Sequence, residues 1–452
     1  MTAASATNAR TGVHPRDAIV TGMGFCLPGI GGPVFTVDDV WAIAGYGRTS
    51  VSGDGVYYGS VNLSDEAFVA RLPDIPGVFA RHFTDAHRFG LVSFAEACLD
   101  AKLDPRSGDL TAAAILVGRG SIDANFDSYQ AMIQADPETI TAQGAIDLFI
   151  SGEQAVTPSD VALVQAAFTR TTAPSFTVSS GCTSSAVQLG IARLLIATGE
   201  VDIAVVTGVD VFNVDIVRKA QRLLEMAQQS AADSHRDHQP EMPKDVITRQ
   251  PMDGIMRPYD RRAGSINYGD GAVTLILESR AHASRRGAHQ YGQILAQAMT
   301  RDGLANPLAG DITGSALAAA ARKCLQDRWT IDQIPYVHGA SDGGAVVTAV
   351  EVDAITQLYG PAASDVLMTS HEASFGHNGA PAGNLGVALT LLMMERDEVC
   401  PTANCEEPAD EIIFDPVPGV RTRPLEFDYA LSFNYQVGGV RSAVLLGSPN
   451  AA

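Results

Sequence analysis

The chain has 452 residues, 46% of them hydrophobic and 18% charged, with 51 acidic residues against 31 basic ones and a formal net charge of −20. That length suits two or three ordinary domains, or one large α/β unit built from two halves, and the charged fraction is too low for a disordered chain. The acidic balance argues against a nucleic-acid partner and against docking on an anionic membrane, since both need dense Lys and Arg.

The first 16 residues are polar and carry no signal-peptide pattern, and no apolar run reaches the roughly 18–20 residues that span a bilayer. Six single cysteines stand at 26, 98, 182, 324, 400 and 405, none in a CxxC pair. The expectation is a cytoplasmic protein with reduced thiols, most of them buried packing residues.

Residues 17–24 read as a strand running into a Gly turn. Apolar residues at helical spacing predict a helix over 89–103, and 112–117 reads as a buried strand closed by Gly118. Residues 120–172 are irregular, with two weak helices, and fit a cap or an oligomer contact. A strand over 176–180 leads almost directly to Cys182, and the small and apolar residues of 184–197 predict a helix buried nearly all round. Residues 203–207 form another buried strand. Residues 226–256 read as an exposed polar insertion. Its His235 and His238 lack a further soft ligand nearby, so no metal site is expected.

Residues 272–278 predict a strand, and a basic connector over 279–287 follows. Then strands over 291–298, 336–338 and 366–370 alternate with helices over 314–326, 347–359 and 383–394. This alternation predicts an α/β protein with largely parallel sheets. Both halves share a rhythm of apolar strand, Gly-containing turn and small-residue helix.

Cys182 lies in Ser-Ser-Gly-Cys-Thr-Ser-Ser, between a strand and a helix. A sharp strand-to-helix turn with small neighbours exposes a nucleophile, and a helix N-terminus favours negative charge beside it. A cysteine nucleophile needs a base or donor nearby. His338 ends a predicted strand, and His377 sits in a Gly-rich loop before a helix. Those are the places where open α/β sheets put ligands. Gly438-Gly439 marks a turn whose backbone N–H groups suit an oxyanion.

Together these motifs resemble the elongating β-ketoacyl-acyl carrier protein synthases, over about residues 17–447. The resemblance rests on Ile-Val-Thr-Gly-Met-Gly at the start, on 81–103, and on Thr-Val-Ser-Ser-Gly-Cys-Thr-Ser-Ser. It also rests on Arg-Pro-Tyr-Asp at 257–260 with Tyr268-Gly-Asp-Gly-Ala, His-Gly-Ala-Ser at 338–341, and Ser-Phe-Gly-His-Asn-Gly-Ala-Pro-Ala-Gly at 374–383. The tail Gly-Gly-Val-Arg-Ser-Ala-Val-Leu-Leu is most like type II polyketide ketosynthases and their chain-length partners.

The resemblance implies a thiolase-like five-layer αβαβα fold of two similar halves, 1–285 carrying the nucleophile and 286–452 carrying the two histidines. The inserts would be 120–172 and 226–256. Cys182 would take an acyl group as a thioester. His338 and His377, both neutral, would donate from Nε2 to the enolate of a decarboxylating malonyl-type extender. The backbone N–H groups of Cys182 and Val437 would form the oxyanion hole. No organic cofactor or metal is implied. The partners implied are an acyl carrier protein or acyl thioester and a second copy of the chain, with a ketosynthase-like heterodimer partner as the other arrangement. Basic patches at Arg218, Lys219 and Arg222, or at Arg257, Arg261 and Arg262, would dock the carrier.

The sequence departs from the family at the expected active site. Glu372 occupies the position of a family lysine whose partner is the glutamate matched by Glu351. Two carboxylates would then meet there, one of them protonated, unless His371 serves as a cation. Val437 replaces a gating aromatic, Ala340 replaces a threonine, and Ala263, Gly264 and Ser265 fall where an Arg/Asp-Gly element belongs. Three readings follow: decarboxylative condensation, transfer of the Cys182-bound acyl group to an amine or alcohol, or a non-condensing chain-length-factor-like subunit.

Overall fold

The computed structural model describes residues 13–53, 56–72, 75, 80–120, 126–156, 160–219, 222–223, 254–304, 311–326 and 328–451. Most of the 226–256 insertion, with His235 and His238, lies outside them. Ten strands form one hydrogen-bonded sheet: β1 (Ala18–Cys26), β2 (Ala114–Gly118), β3 (Ser175–Val178), β4 (Ile203–Asp210), β5 (Gly271–Ser279), β6 (Gly292–Arg301), β7 (Tyr336–His338), β8 (Leu367–Thr369), and β11 (Tyr429–Gln436) with β12 (Val440–Gly447). The short strands β9 (Glu398–Val399) and β10 (Arg423–Pro424) pair separately.

The strand order is β3-β2-β4-β5-β1-β6-β12-β11-β7-β8. It divides into two sets of five with the same internal order and pairing. In the first set β2 runs parallel to β3 and β4, while β5 is antiparallel to β4 and β1. In the second, β7 runs parallel to β8 and β11, while β12 is antiparallel to β11 and β6. Only a short β1–β6 ladder, Ala18–Val20 against Gly292–Ile294, joins the sets. The sheets are therefore mixed rather than largely parallel. The physical reason is the connections: β11 and β12 are joined by three residues, and a turn that short can only reverse the chain.

Two helices fill the space between the sets, each the long helix after the third strand of its set. Helix Ser184–Thr198 touches β2 and β4 on one side and β6 and β12 on the other. Helix Ala382–Arg396 touches β4 and β5 as well as β7 and β11, and is buried throughout Ala382–Met394. Small residues make this possible. A Cβ on Gly383 would lie 2.6 Å from the Ala186 backbone N, so only glycine lets the two helices approach this closely there. Asn384 Nδ2 donates to Val206 O and Val273 O, both at 2.9 Å, and ties the buried helix to the first set. Helix Asp85–Ala101 covers the outer face of β1 and β5, helix Ser315–Leu325 covers β6 and β12, and helix Ala345–Tyr359 packs on Ser315–Leu325 and shares its core with β7, β8 and β11. The result is five layers, helix–sheet–helix–sheet–helix, around a core of Val, Leu, Ile and Ala.

Two local expectations change. The basic connector is a helix, Arg280–Arg285, capped by Ser279, whose side chain accepts from His282 N. The described part of 120–172 holds three helices, Phe126–Gln134, Ala142–Val156 and Asp160–Thr169, rather than two. Among the described residues no helix is long and apolar enough to cross a membrane.

Candidate active site

The two central helices bring their N-termini together, and the candidate residues sit just ahead of them. Cys182 follows β3 and precedes helix Ser184–Thr198. Gly181 has φ +50°, and a Cβ there would lie 2.7 Å from the Gln436 side chain. Glycine therefore sets both the sharp turn and its seat against the end of β11. Ser180 Oγ donates to Gln436 Oε1 at 2.9 Å and holds the turn from the other set. Cys182 is half-buried, whereas Cys26, Cys98, Cys324, Cys400 and Cys405 are buried, and burial pushes each of their thiols up.

His377 occupies the matching place in the second set, after β8 and before helix Ala382–Arg396. Its backbone is clamped: His377 N donates to Asn267 O at 2.7 Å, and Gly269 N donates to His377 O at 3.1 Å. Gly376, at φ +82°, packs its Cα side against Gly269 and turns the chain into this clamp. The ring lies beside Phe212 and edge-on to Tyr268, with centroids 6.4 Å and 5.9 Å away.

The structure places Cys182 Sγ 3.0 Å from His377 Nε2, and His377 Nδ1 2.8 Å from Glu372 Oε2. A carboxylate only accepts, so Nδ1 carries a proton. Burial opposes a cation at His377, but the charges of Cys182 and Glu372 outweigh it and hold the imidazole well above its usual range. This direction favours the charged ring, whereas the resemblance implies a neutral one.

His338 ends β7 and is buried. Its Nε2 lies 3.1 Å from His371 Nδ1, and the two rings have centroids 5.2 Å apart and planes 19° apart. A Cβ on Gly386 would lie 2.7 Å from His338 Nδ1, so the glycine gives the ring its room. Burial pushes His338 down to about 4. Burial, with the charge of His338 beside it, holds His371 well below the usual imidazole range. The ring of His371 meets His338, while the Glu372 carboxylate is taken by His377. Among the described residues no hydrogen bond links His338 to Cys182 or His377.

Glu351 and Glu372 do not form the expected pair. Glu351 is fully buried, accepts from Ala340 N at 2.7 Å and from Tyr259 Oη at 2.8 Å, and is pushed up to about 7. Burial is the main cause of that shift. Ala340, at the lost threonine, contributes a backbone N–H to this carboxylate. Val437 lies in the β11–β12 turn next to Gln436, and its side chain is 70% exposed. Sequence reasoning missed Phe212, Tyr268, Asn267 and Gln436 as wall and clamp residues. Only Tyr268 stood in a motif that could have flagged it.

The two basic patches differ. Arg262 is held by Asp260 at 2.8 Å and Glu406 at 3.0 Å, and Arg261 lies 3.1 Å from Glu407. Arg257 is buried. Arg218, Lys219 and Arg222 are exposed, with Arg218 3.0 Å from Asp215.

Comparison with known proteins agrees with this architecture. Residues 18–283 match the beta-ketoacyl synthase N-terminal domain, and residues 291–406 match the C-terminal domain. The tetracenomycin polyketide synthase ketoacyl synthase alpha subunit of Streptomyces glaucescens is 26% identical over 442 residues, covering 96% of this chain and 97% of that protein. The 3-oxoacyl-(acyl-carrier-protein) synthase 2 of Vibrio cholerae is 24% identical over 451 residues, 95% and 98% of the two chains. Among solved structures, the ishigamide ketosynthase/chain length factor superposes with a TM-score of 0.76 at 21% identity, covering 96% of this chain and 99% of that one. A type II polyketide synthase acyl-carrier protein in complex with its ketosynthase gives 0.74 at 20% identity, covering 96% and 100%. With both family domains matched in order across this five-layer fold, the chain belongs to the beta-ketoacyl synthase family.

Proposed function

We propose that the protein is a ketosynthase-type acyltransferase in fatty-acid- or polyketide-type biosynthesis, which loads an acyl group on Cys182 and passes it to an amine or alcohol. One observation carries this reading: the Cys182–His377–Glu372 chain, with contacts of 3.0 and 2.8 Å. In loading, the Cys182 thiolate attacks a thioester carbonyl, and His377 Nε2–H protonates the departing thiol. In transfer, the neutral imidazole takes the proton of the attacking N–H or O–H, and Sγ leaves as thiolate. Glu372 holds the Nδ1–H tautomer and stabilises the imidazolium that is spent in loading and re-formed in transfer, much as the acid of a Ser-His-Asp triad does. The backbone N–H groups of Cys182 and Val437 serve the oxyanion. Substituting Glu372→Gln tests it: acyl-Cys182 should form and then persist, because transfer is slowed more than loading.

Decarboxylative Claisen condensation is the second reading. Family membership, and the presence of both His338 and His377 at the matched motif positions, favours it. Carbon dioxide released from a malonyl thioester at the rate of acyl turnover would select it over transfer.

The same reading gives the donor as an acyl carrier protein, docked through Arg218, Lys219 and Arg222. It also includes a two-subunit assembly, either two copies or one copy with a ketosynthase-like partner. Strand β3 at the end of the sheet, with Phe176 36% exposed, and Leu194, 56% exposed on the following helix, support such a contact. Light scattering on the purified chain, alone and with carrier, tests the assembly.

A further inference from the structure

The transfer chemistry leaves one buried pair unused. β7 and β8 are adjacent parallel strands with His338 opposite Thr369, so the residue two beyond β8's end, His371, comes to lie against His338. The ring planes lie 19° apart and the edges meet, with 3.1 Å from His338 Nε2 to His371 Nδ1. Both side chains are buried, His338 5% and His371 1% exposed.

An imidazole nitrogen has one in-plane position, holding either a proton or a lone pair. At His338 Nε2 that position is filled by His371. If Nε2 carries the proton, it is donated to His371 Nδ1. If it does not, Nε2 accepts from His371. In neither case does it offer a hydrogen to an oxygen in the reacting site. That bond, and the close packing of Gly386 beside His338 Nδ1, hold the ring in this orientation.

Decarboxylation of a malonyl thioester breaks the bond between Cα and the carboxylate. Carbon dioxide leaves, the electron pair passes to the thioester oxygen as an enolate, and water later supplies a proton to carbon. The enolate oxygen needs a hydrogen-bond donor. We propose that His371 is a positioning residue that holds His338 Nε2 out of the reacting site and so selects against malonyl decarboxylation. The proposal rests on the acyl-transfer reading above.

The test uses the full chain with malonyl-N-acetylcysteamine labelled at the free carboxyl, read as released labelled carbon dioxide. Acylation of Cys182 by hexanoyl-N-acetylcysteamine is followed in parallel by intact mass. The wild type should release carbon dioxide no faster than His338→Ala. His371→Ala and His371→Thr should each raise release by about tenfold or more, and the double variant His371→Ala/His338→Ala should fall back to the baseline. Acylation of Cys182 should stay within about threefold of wild type in the His371 variants, since among the described residues no hydrogen bond or ring contact links the His371 side chain to Cys182 or His377.

Three results would overturn the proposal. Release by the wild type clearly above His338→Ala is one, and it needs no His371 variant to fold. A folded His371 variant that acylates Cys182 but gains no release is another. A gain that survives removal of His338 is the third, because it would assign the effect to loosened packing. Failure of the transfer reading shows separately, as absence of acyl on Cys182 in the wild type.

Discussion

Glu372 and His377 share a hydrogen bond of 2.8 Å between Oε2 and Nδ1, on the ring whose Nε2 lies 3.0 Å from Cys182 Sγ. Glu372 is buried, so its charge acts through little screening water. Glu372→Gln keeps the size but removes that charge. Acyl transfer from Cys182 should fall by about 10²-fold or more. The pH profile should move as well. Glu372 raises the His377 value, so its loss lowers it, and the acid limb of the transfer rate shifts to lower pH. Glu372→Lys should do more damage, because it sets a cation against the imidazolium. Transfer rates from pH 5 to 9 check all three statements.

Glu351 gives a stability prediction. Its carboxyl is pushed from 4.5 up to about 7 by burial. The native state therefore holds a proton that the unfolded chain gives up above about 4.5. Its contribution to stability is full below that value and is lost as pH rises towards 7. Over that window the loss is on the order of 3 kcal/mol. Glu351→Gln cannot ionise. Urea unfolding at pH 5 and pH 8 should show the variant gaining on the wild type by a few kcal/mol at the higher pH. An unchanged difference between the two pH values would contradict the assignment.

Gly181→Ala tests the turn that presents Cys182. A Cβ at φ +50°, 2.7 Å from the Gln436 side chain, is strained whichever way the turn relaxes. The variant should lose about 1–2 kcal/mol of stability. Its acylation rate should fall far more than that loss explains, because Sγ leaves the reach of His377. Thermal unfolding and burst-phase acylation, measured on the same preparation, separate the two effects.

Carrier docking is tested through charge. The pair Arg218→Glu and Lys219→Glu should slow loading from an acyl carrier protein by about tenfold at low salt. Loading from a small acyl thioester should be unchanged. The same substitutions at Arg261 and Arg262, which already face Glu407, Asp260 and Glu406, should have a smaller effect on docking. Rates at rising salt check the mechanism, since an attraction between exposed charges weakens with screening.

Cys182, His338 and His377 were legible in the sequence because each ends a strand or precedes a small-residue helix, and such turns carry local signals. The central helices were legible for the same reason: Gly383 and Ala186 are small where two backbones meet. The His338–His371 bond was not. It depends on β7 lying beside β8, a contact between residues 33 positions apart. The Glu351–Tyr259 bond spans 92 positions and was equally hidden. The β11–β12 hairpin was read only as the turn Gly438-Gly439. Helix Arg280–Arg285 is too short to show a period, so only its Ser279 cap announced it. Long-range pairing, rather than residue identity, separates what the chain displays from what it conceals.

The central claim is that Cys182 carries the acyl group. Intact-mass spectrometry after incubation with an acyl-carrier-protein thioester tests it most directly. One acyl adduct should form on the wild type, mapped to Cys182, and none on Cys182→Ala. No adduct on the wild type, or an equal adduct on Cys182→Ala, would contradict it.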